Sequence, residues 1–272
     1  MHRFLTLMFA VFMFFGITSC KGQSQKGSMV EIKTEFGNMK LKLYDKTPEH
    51  KKNFLKLVKD GYYNDLLFHR VIKSFMVQGG DPDSKNAEPG TRLGGGSPGY
   101  TVPAEINSTY IHKKGALAAA RKGGPTNPEK RSSGSQFYIV QGSVVTEGLL
   151  DTMEMMVNNR AKNECYKKQF ADANARLSEF KKKNDKAGFD ACVAEVRAKA
   201  DSIWDQHELF LYTPEQRNIY TTVGGYPSLD GEYTVFGELV EGFDVLEKIS
   251  ALETDKYDRP LHDIKMKIEV IN

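Results

Sequence analysis

One segment of this chain cannot share the architecture of the rest. Between 151 and 210 there is no proline and a single glycine, Gly188, while 11 basic residues balance 11 acidic ones. On either side, glycine-rich loops separate most of the short apolar runs, which alternate with polar positions. The first pattern is that of helices, and the second is that of short strands joined by glycine-rich loops. The expected division is a β framework at 29–142 and 223–272, with an inserted α-helical hairpin at 143–222.

In the framework, Val30, Ile32 and Thr34 alternate with polar neighbours, and past Gly37-Asn38 so do Met39, Leu41 and Leu43, which predicts a β-hairpin. Thr47-Pro48-Glu49 supplies a capping residue, a proline at the first helical position and an acid in the first turn. A helix should run from there to about Asp60, with Phe54, Leu55 and Val58 on its core face. Further strands are expected at 67–72, 75–78, 116–120, 136–140, 233–239 and 266–271. A second helix is expected at 243–252, carried by Phe243, Leu246 and Ile249. Regular short strands with few helices suggest a closed barrel or a sandwich.

In the insertion, Phe189, Val193, Val196, Ala200, Ile203, His207 and Phe210 recur at steps of four and three, as do Phe170, Ala173, Leu177 and Phe180 upstream. Two antiparallel helices meeting along this seam would turn near 184–188. That register separates Cys165 from Cys192 by about 20 Å at the helical rise, so both should be free thiols. Thr213-Pro214-Glu215-Gln216 fits a capping box for a third short helix.

The N-terminus reads as an export signal. Met1-His2-Arg3 is basic, and 4–17 is apolar but too short to span a bilayer comfortably. Ile17-Thr18-Ser19-Cys20 resembles the lipobox of bacterial lipoproteins, with 1–19 removed and Cys20 lipidated. The polar stretch at 20–28 would then be a flexible tether, which places the chain on a bacterial envelope membrane. With 40% hydrophobic and 27% charged residues, the rest is globular. A net charge of +3 provides no field for nucleic acid.

Three blocks carry the chemistry. They are Phe68-His69-Arg70-Val71-Ile72-Lys73-Ser74-Phe75-Met76-Val77-Gln78-Gly79-Gly80-Asp81-Pro82, then Gly134-Ser135-Gln136-Phe137-Tyr138-Ile139, then Leu229-Asp230-Gly231-Glu232-Tyr233-Thr234-Val235-Phe236-Gly237. In composition and order they closely resemble the cyclophilin family of peptidyl-prolyl cis/trans isomerases. The resemblance implies a mainly β fold: a closed eight-stranded antiparallel barrel capped by two helices, with the active groove on its outer face. It implies proline-containing polypeptides as substrates and no cofactor or metal.

By the same resemblance, Arg70 is the catalytic residue and Gln78 supports it. Phe75, Met76, Tyr138, Leu229 and Tyr233 form the apolar pocket for the proline ring, the Ala120 and Arg121 backbone holds the preceding residues, and Gln136 contacts the peptide. Three positions depart from the family's pattern. Tyr138 replaces its phenylalanine and Tyr233 its frequent histidine. Ser228 replaces the tryptophan common in eukaryotic members, which implies weak cyclosporin binding. The tyrosine hydroxyls need partners, and they keep open the alternative of a proline-peptide-binding module with little turnover.

Other signals lack their required context. Gly94, Gly96 and Gly99 fit a dinucleotide fingerprint, and Gly95-Gly96-Ser97-Pro98-Gly99 fits a nucleophile elbow, but Pro98 and more loop follow rather than a helix. His69 should face away from Arg70 by strand alternation and act structurally. His50, His112, His207 and His262 lack metal-ligand spacing. The insertion could serve as a chaperone-like arm or partner surface beside the groove.

Overall fold

The computed structural model describes residues 28–271. The expected leader, Cys20 and nearly all of the tether lie outside the described residues.

Strands β1 (Met29–Thr34) and β2 (Gly37–Leu43) form the expected hairpin, and α1 (Pro48–Lys59) follows. Then come β3 (Leu66–Leu67), β4 (Arg70–Ile72), β5 (Met76–Gly79), β6 (Thr101–Val102), β7 (Ala116–Ala119), β8 (Ser132–Ser133) and β9 (Phe137–Val140). Four helices succeed one another: α2 (Glu147–Asp172), α3 (Asn174–Lys182), α4 (Lys186–Trp204) and α5 (Pro214–Thr222). The chain then returns to β10 (Val235–Glu241), α6 (Phe243–Ser250) and β11 (Lys265–Ile271).

Nine strands form one strongly curled antiparallel sheet in the order β3-β11-β1-β2-β10-β7-β9-β5-β4, and β6 and β8 form a separate pair. The expected strand at 67–72 is thus two strands, one at each edge of the sheet. The reason is visible in its hydrogen bonds. Phe68 N–H is drawn to Ile264 O beside β11, whereas two residues on, Arg70 already pairs with Gln78 of β5. The count of eight strands is therefore corrected to nine. Phe68 and His69 join the sheet's edges covalently, without a ladder between β3 and β4.

Side-chain alternation divides the sheet into two faces. One face carries Ile32, Leu41, Val71, Val77, Leu117, Phe137, Ile139 and Ile268 into a single core. Phe54, Leu57 and Val58 of α1 and Val245, Leu246 and Ile249 of α6 pack on that core. Leu55, expected on the buried face of α1, is only partly buried, and Leu57 takes its place. Phe243 is similarly half out of its helix's buried face, at 38% exposed. The other face carries Met76, Ala116, Ala118, Tyr138, Val140 and Val235, and the functional site lies there.

Thr47 does not cap α1 with its side chain. The cap comes instead from Glu105, whose carboxylate accepts from Glu49 N at 3.1 Å and His50 N at 2.9 Å. In the helical segment, the upstream helix breaks at Ala173, and α3 and α4 turn through 183–185, earlier than the expected 184–188, whose last three residues open α4. The seam shifts by about a residue. Cys192, Val196 and Ala200 are buried, Ile203 is exposed, and His207 stacks on Trp204. Cys165 and Cys192 are free, and Cys165 lies beside Ala200 O. The capping box of Thr213 and Gln216 is present in both directions.

Candidate active site

The site is laid out by strand register. Arg70 faces Gln78, Gln78 faces Tyr138, Tyr138 faces Ala118 and Ala118 faces Val235. Five residues on five adjacent strands thus make one row across the outer face. Neighbouring strands are about 4.8 Å apart, so the row brings a cation to one side of an apolar floor.

That floor opens as a hollow of about 530 Å³ lined by Arg70, Phe75, Met76, Gln78, Ala120, Arg121, Tyr138, Leu229 and Tyr233. Nine of the ten residues expected to act are therefore together. Arg92, Leu93, Gly94 and Gly95 also line it, so the glycine-rich loop borders the groove; Arg92 and Leu93 carry no sequence signal that marks them for the site.

Arg70 is partly exposed, with its guanidinium 6.0 Å from the Phe75 ring. Its Nε donates to Asp258 Oδ2 at 3.3 Å and its Nη1 to Gln78 Oε1 at 3.4 Å. Asp258 adopts a left-handed backbone (φ 65°), and its carbonyl accepts from Val71 N at 2.8 Å, so one residue grips both the strand and its arginine. No hydrogen bond from Nη2 is found among the described residues, and Arg70 lines the hollow.

Gln136 lines an adjoining cavity, which shares Gln78, Gly94, Ala120 and Arg121 with the hollow. It is buried, its Oε1 accepts from Gln78 Nε2 at 3.0 Å, and its Nε2 donates to Gly94 O at 3.1 Å and Gly96 O at 2.8 Å. It therefore joins the arginine's support to the glycine-rich loop. Asp81 holds the same loop, accepting from Gly94 N, and a side chain at position 96 would overlap its carboxylate. The glycines are there for close approach, with neither a nucleotide fold nor a nucleophile elbow. Ser97 Oγ accepts only from Gly99 N.

The two tyrosine departures have partners. Tyr138 is 4% exposed, and its hydroxyl lies 3.0 Å from His112 Nε2, behind the floor. Burial pushes that hydroxyl well above its usual range, so it stays an O–H. The Tyr233 ring stands edge-on to Tyr138 and lies under the Arg121 guanidinium, 4.6 Å from its centre. Arg121 also donates to Glu232 O at 2.8 Å. Ala120 donates to Gln136 O and accepts from Ser133 N, so the main chain left for a peptide is that of Arg121.

His69 is buried. Burial lowers its pKa to about 4 despite the opposing pull of Asp81, and it is neutral near pH 7. No cluster of metal-ligating side chains occurs among the described residues.

Comparison with known proteins then settles the family. The model of the cyclophilin type peptidyl-prolyl cis-trans isomerases matches residues 29–186 and 214–270. The chain belongs to the cyclophilin family. A Staphylococcus saprophyticus protein named as a peptidyl-prolyl cis-trans isomerase is 32% identical over 88% of this chain and 89% of its own length. A Streptococcus pyogenes protein, named as a bifunctional phosphatase/peptidyl-prolyl cis-trans isomerase, is 31% identical over 92% of this chain, which spans 40% of that longer protein. The crystal structure of a Cryptosporidium parvum cyclophilin matches 90% of this chain and 98% of its own with a TM-score of 0.51. At 22% identity it shows the shared fold. A second structure of that protein was determined in the presence of the dipeptide Ala-Pro.

Proposed function

We propose that this cyclophilin accelerates rotation about X–Pro bonds, with the proline ring seated over Tyr138 and Met76 and Arg70 acting on the twisting amide. The uncatalysed barrier is about 18–20 kcal/mol, because the nitrogen lone pair is delocalised into the carbonyl. No bond breaks, so the chemistry needs neither nucleophile nor proton transfer. An acceleration of five decades requires about 7 kcal/mol of preferential transition-state stabilisation.

The observation that carries this reading is the row that puts a planar cation beside the apolar floor of the hollow. As the amide leaves planarity, its nitrogen regains a lone pair and its carbonyl loses conjugation. A guanidinium held by Asp258 and Gln78 can donate to the first and attract the second without reorganising. Phe75, Met76, Leu229, Tyr138 and Tyr233 fix the ring while the preceding residues lie along Arg121. The engaged Tyr138 hydroxyl keeps the floor apolar, which supports turnover over a passive binding module. Exchange spectroscopy on a tetrapeptide with one Ala-Pro bond tests this. Wild type and Ser97→Ala should accelerate the cis/trans exchange equally. Binding without acceleration would make the protein a module, and loss in Ser97→Ala alone would point to a hydrolase.

The same reading takes 29–142 and 223–272 as one barrel unit, closed through Phe68 and His69, and 143–222 as its helical insertion. It takes Cys20 as the lipid attachment point and exported proteins at the envelope as the substrates. Cys20→Ser should then release the protein from membranes. Exposed Met155 and Met156 on α2 support a role in holding unfolded chains. Replacing both with serine should impair refolding of a whole protein and leave tetrapeptide turnover intact.

A further inference from the structure

The hydroxyl of Tyr138 is the near end of a buried hydrogen-bonded chain that leaves the pocket and ends in the helical segment. His112 Nε2 is 3.0 Å from it, and His112 Nδ1 is 2.8 Å from Asp230 Oδ1. The same oxygen accepts from His112 N at 2.8 Å. On the far side, Asp230 Oδ2 accepts from Tyr220 of α5 at 2.6 Å and lies 3.2 Å from the hydroxyl of Tyr212, which is also 3.2 Å from Pro227 O. His112, Tyr138, Tyr212 and Tyr220 are each at most 4% exposed.

Hydrogen-bond accounting gives this chain a direction. His112 N–H and the Tyr220 O–H both donate to Asp230, and the Tyr212 O–H is shared between Asp230 and Pro227 O, so Asp230 is the acceptor on which the chain converges. Burial, reinforced by Asp230, raises the hydroxyls of Tyr212 and Tyr220 far above their usual range, so both remain donors. As a neutral imidazole, His112 places its proton on Nδ1 toward Asp230, which leaves Nε2 as an acceptor. The Tyr138 O–H completes the line by donating to it and turns away from the pocket.

We propose that Tyr220 and Tyr212 are positioning residues for the proline pocket, acting through Asp230 and His112 to keep the Tyr138 hydroxyl off its apolar floor. This rests on the hollow being the proline site. The helical segment is then part of the pocket's construction. Because the proline ring occupies the floor in both ground and transition states, breaking the chain weakens both equally and raises KM with little change in kcat.

The test uses the full chain. Ring nitrogen-15 spectra of wild type, with His112 assigned by substitution, should show the proton on Nδ1 at neutral pH. A protonated Nε2 would overturn the proposal. With the Ala-Pro tetrapeptide, Tyr220→Phe should raise KM about three- to tenfold in the wild-type background. In a Tyr138→Phe background, which cuts the chain at its other end, it should change KM less than about twofold. Equal shifts in both backgrounds, or none in either for a folded variant, would overturn it. Should Tyr220→Phe not fold, Tyr212→Phe takes its place in the cycle. If wild type binds the tetrapeptide without turnover, the enzymatic reading fails alone, and the cycle is read on the tetrapeptide Kd instead.

Discussion

Arg70 and Gln78 are register partners on β4 and β5, and Gln78 Oε1 lies 3.4 Å from Arg70 Nη1. Gln78 in turn donates to Gln136 at 3.0 Å, so it aims the guanidinium without lining up on the substrate amide itself. Gln78→Ala should lower kcat/KM about tenfold, the worth of one charge-assisted hydrogen bond, with most of the loss in kcat. Unchanged kcat would mean that Asp258 alone positions the arginine.

Gln136 ties down the loop that forms one wall of the hollow. Gln136→Ala removes its bonds to Gly94 O and Gly96 O. The expected result is faster amide exchange at Gly94, whose N–H is otherwise held by Asp81, together with a several-fold rise in KM. Unaltered exchange protection would show that Asp81 holds the loop unaided.

Glu105 caps α1 from another part of the chain and lies 2.6 Å from His50 Nδ1. Glu105→Ala should destabilise the fold by about 1–2 kcal/mol, as loss of a helix cap does. The urea midpoint would report this at constant m-value. Because α1 packs on the core face, away from the hollow, kcat/KM should stay within about twofold.

His69 makes stability depend on pH. Its pKa falls to about 4 in the fold, below the ordinary value of 6.5. Between these two values the unfolded chain binds the proton and the folded one does not, so stability is complete above 6.5 and falls as pH drops toward 4. The loss amounts to a few kcal/mol. Urea midpoints measured from pH 7 to 4 should decline more steeply in wild type than in His69→Gln. Parallel slopes would place the burden on other groups, such as His50, whose pKa burial also lowers.

What could be read from sequence was local. The β1–β2 alternation, the Thr213–Gln216 capping box and the pocket residues of the three motif blocks all depend on near neighbours. What could not be read was long-range. The α1 cap is 56 residues from Glu49, and Tyr138 reaches Tyr220 only through His112 and Asp230. The break at Ala173 carries no glycine or proline to mark it. The split of 67–72 follows from two different partner strands. Gln136 was correctly placed on the outer face, but which of its neighbours would take its amide depends on a loop 40 residues earlier.

The central claim is that Arg70 stabilises the twisted amide rather than the bound peptide. The most direct test compares wild type, Arg70→Ala and Arg70→Lys by exchange spectroscopy on the Ala-Pro tetrapeptide, with the tetrapeptide Kd measured in parallel. Both variants should lose about 10²–10³-fold in turnover while Kd moves only a few-fold, since an ammonium lacks the planar fork. Turnover in Arg70→Ala within a few-fold of wild type would contradict the account.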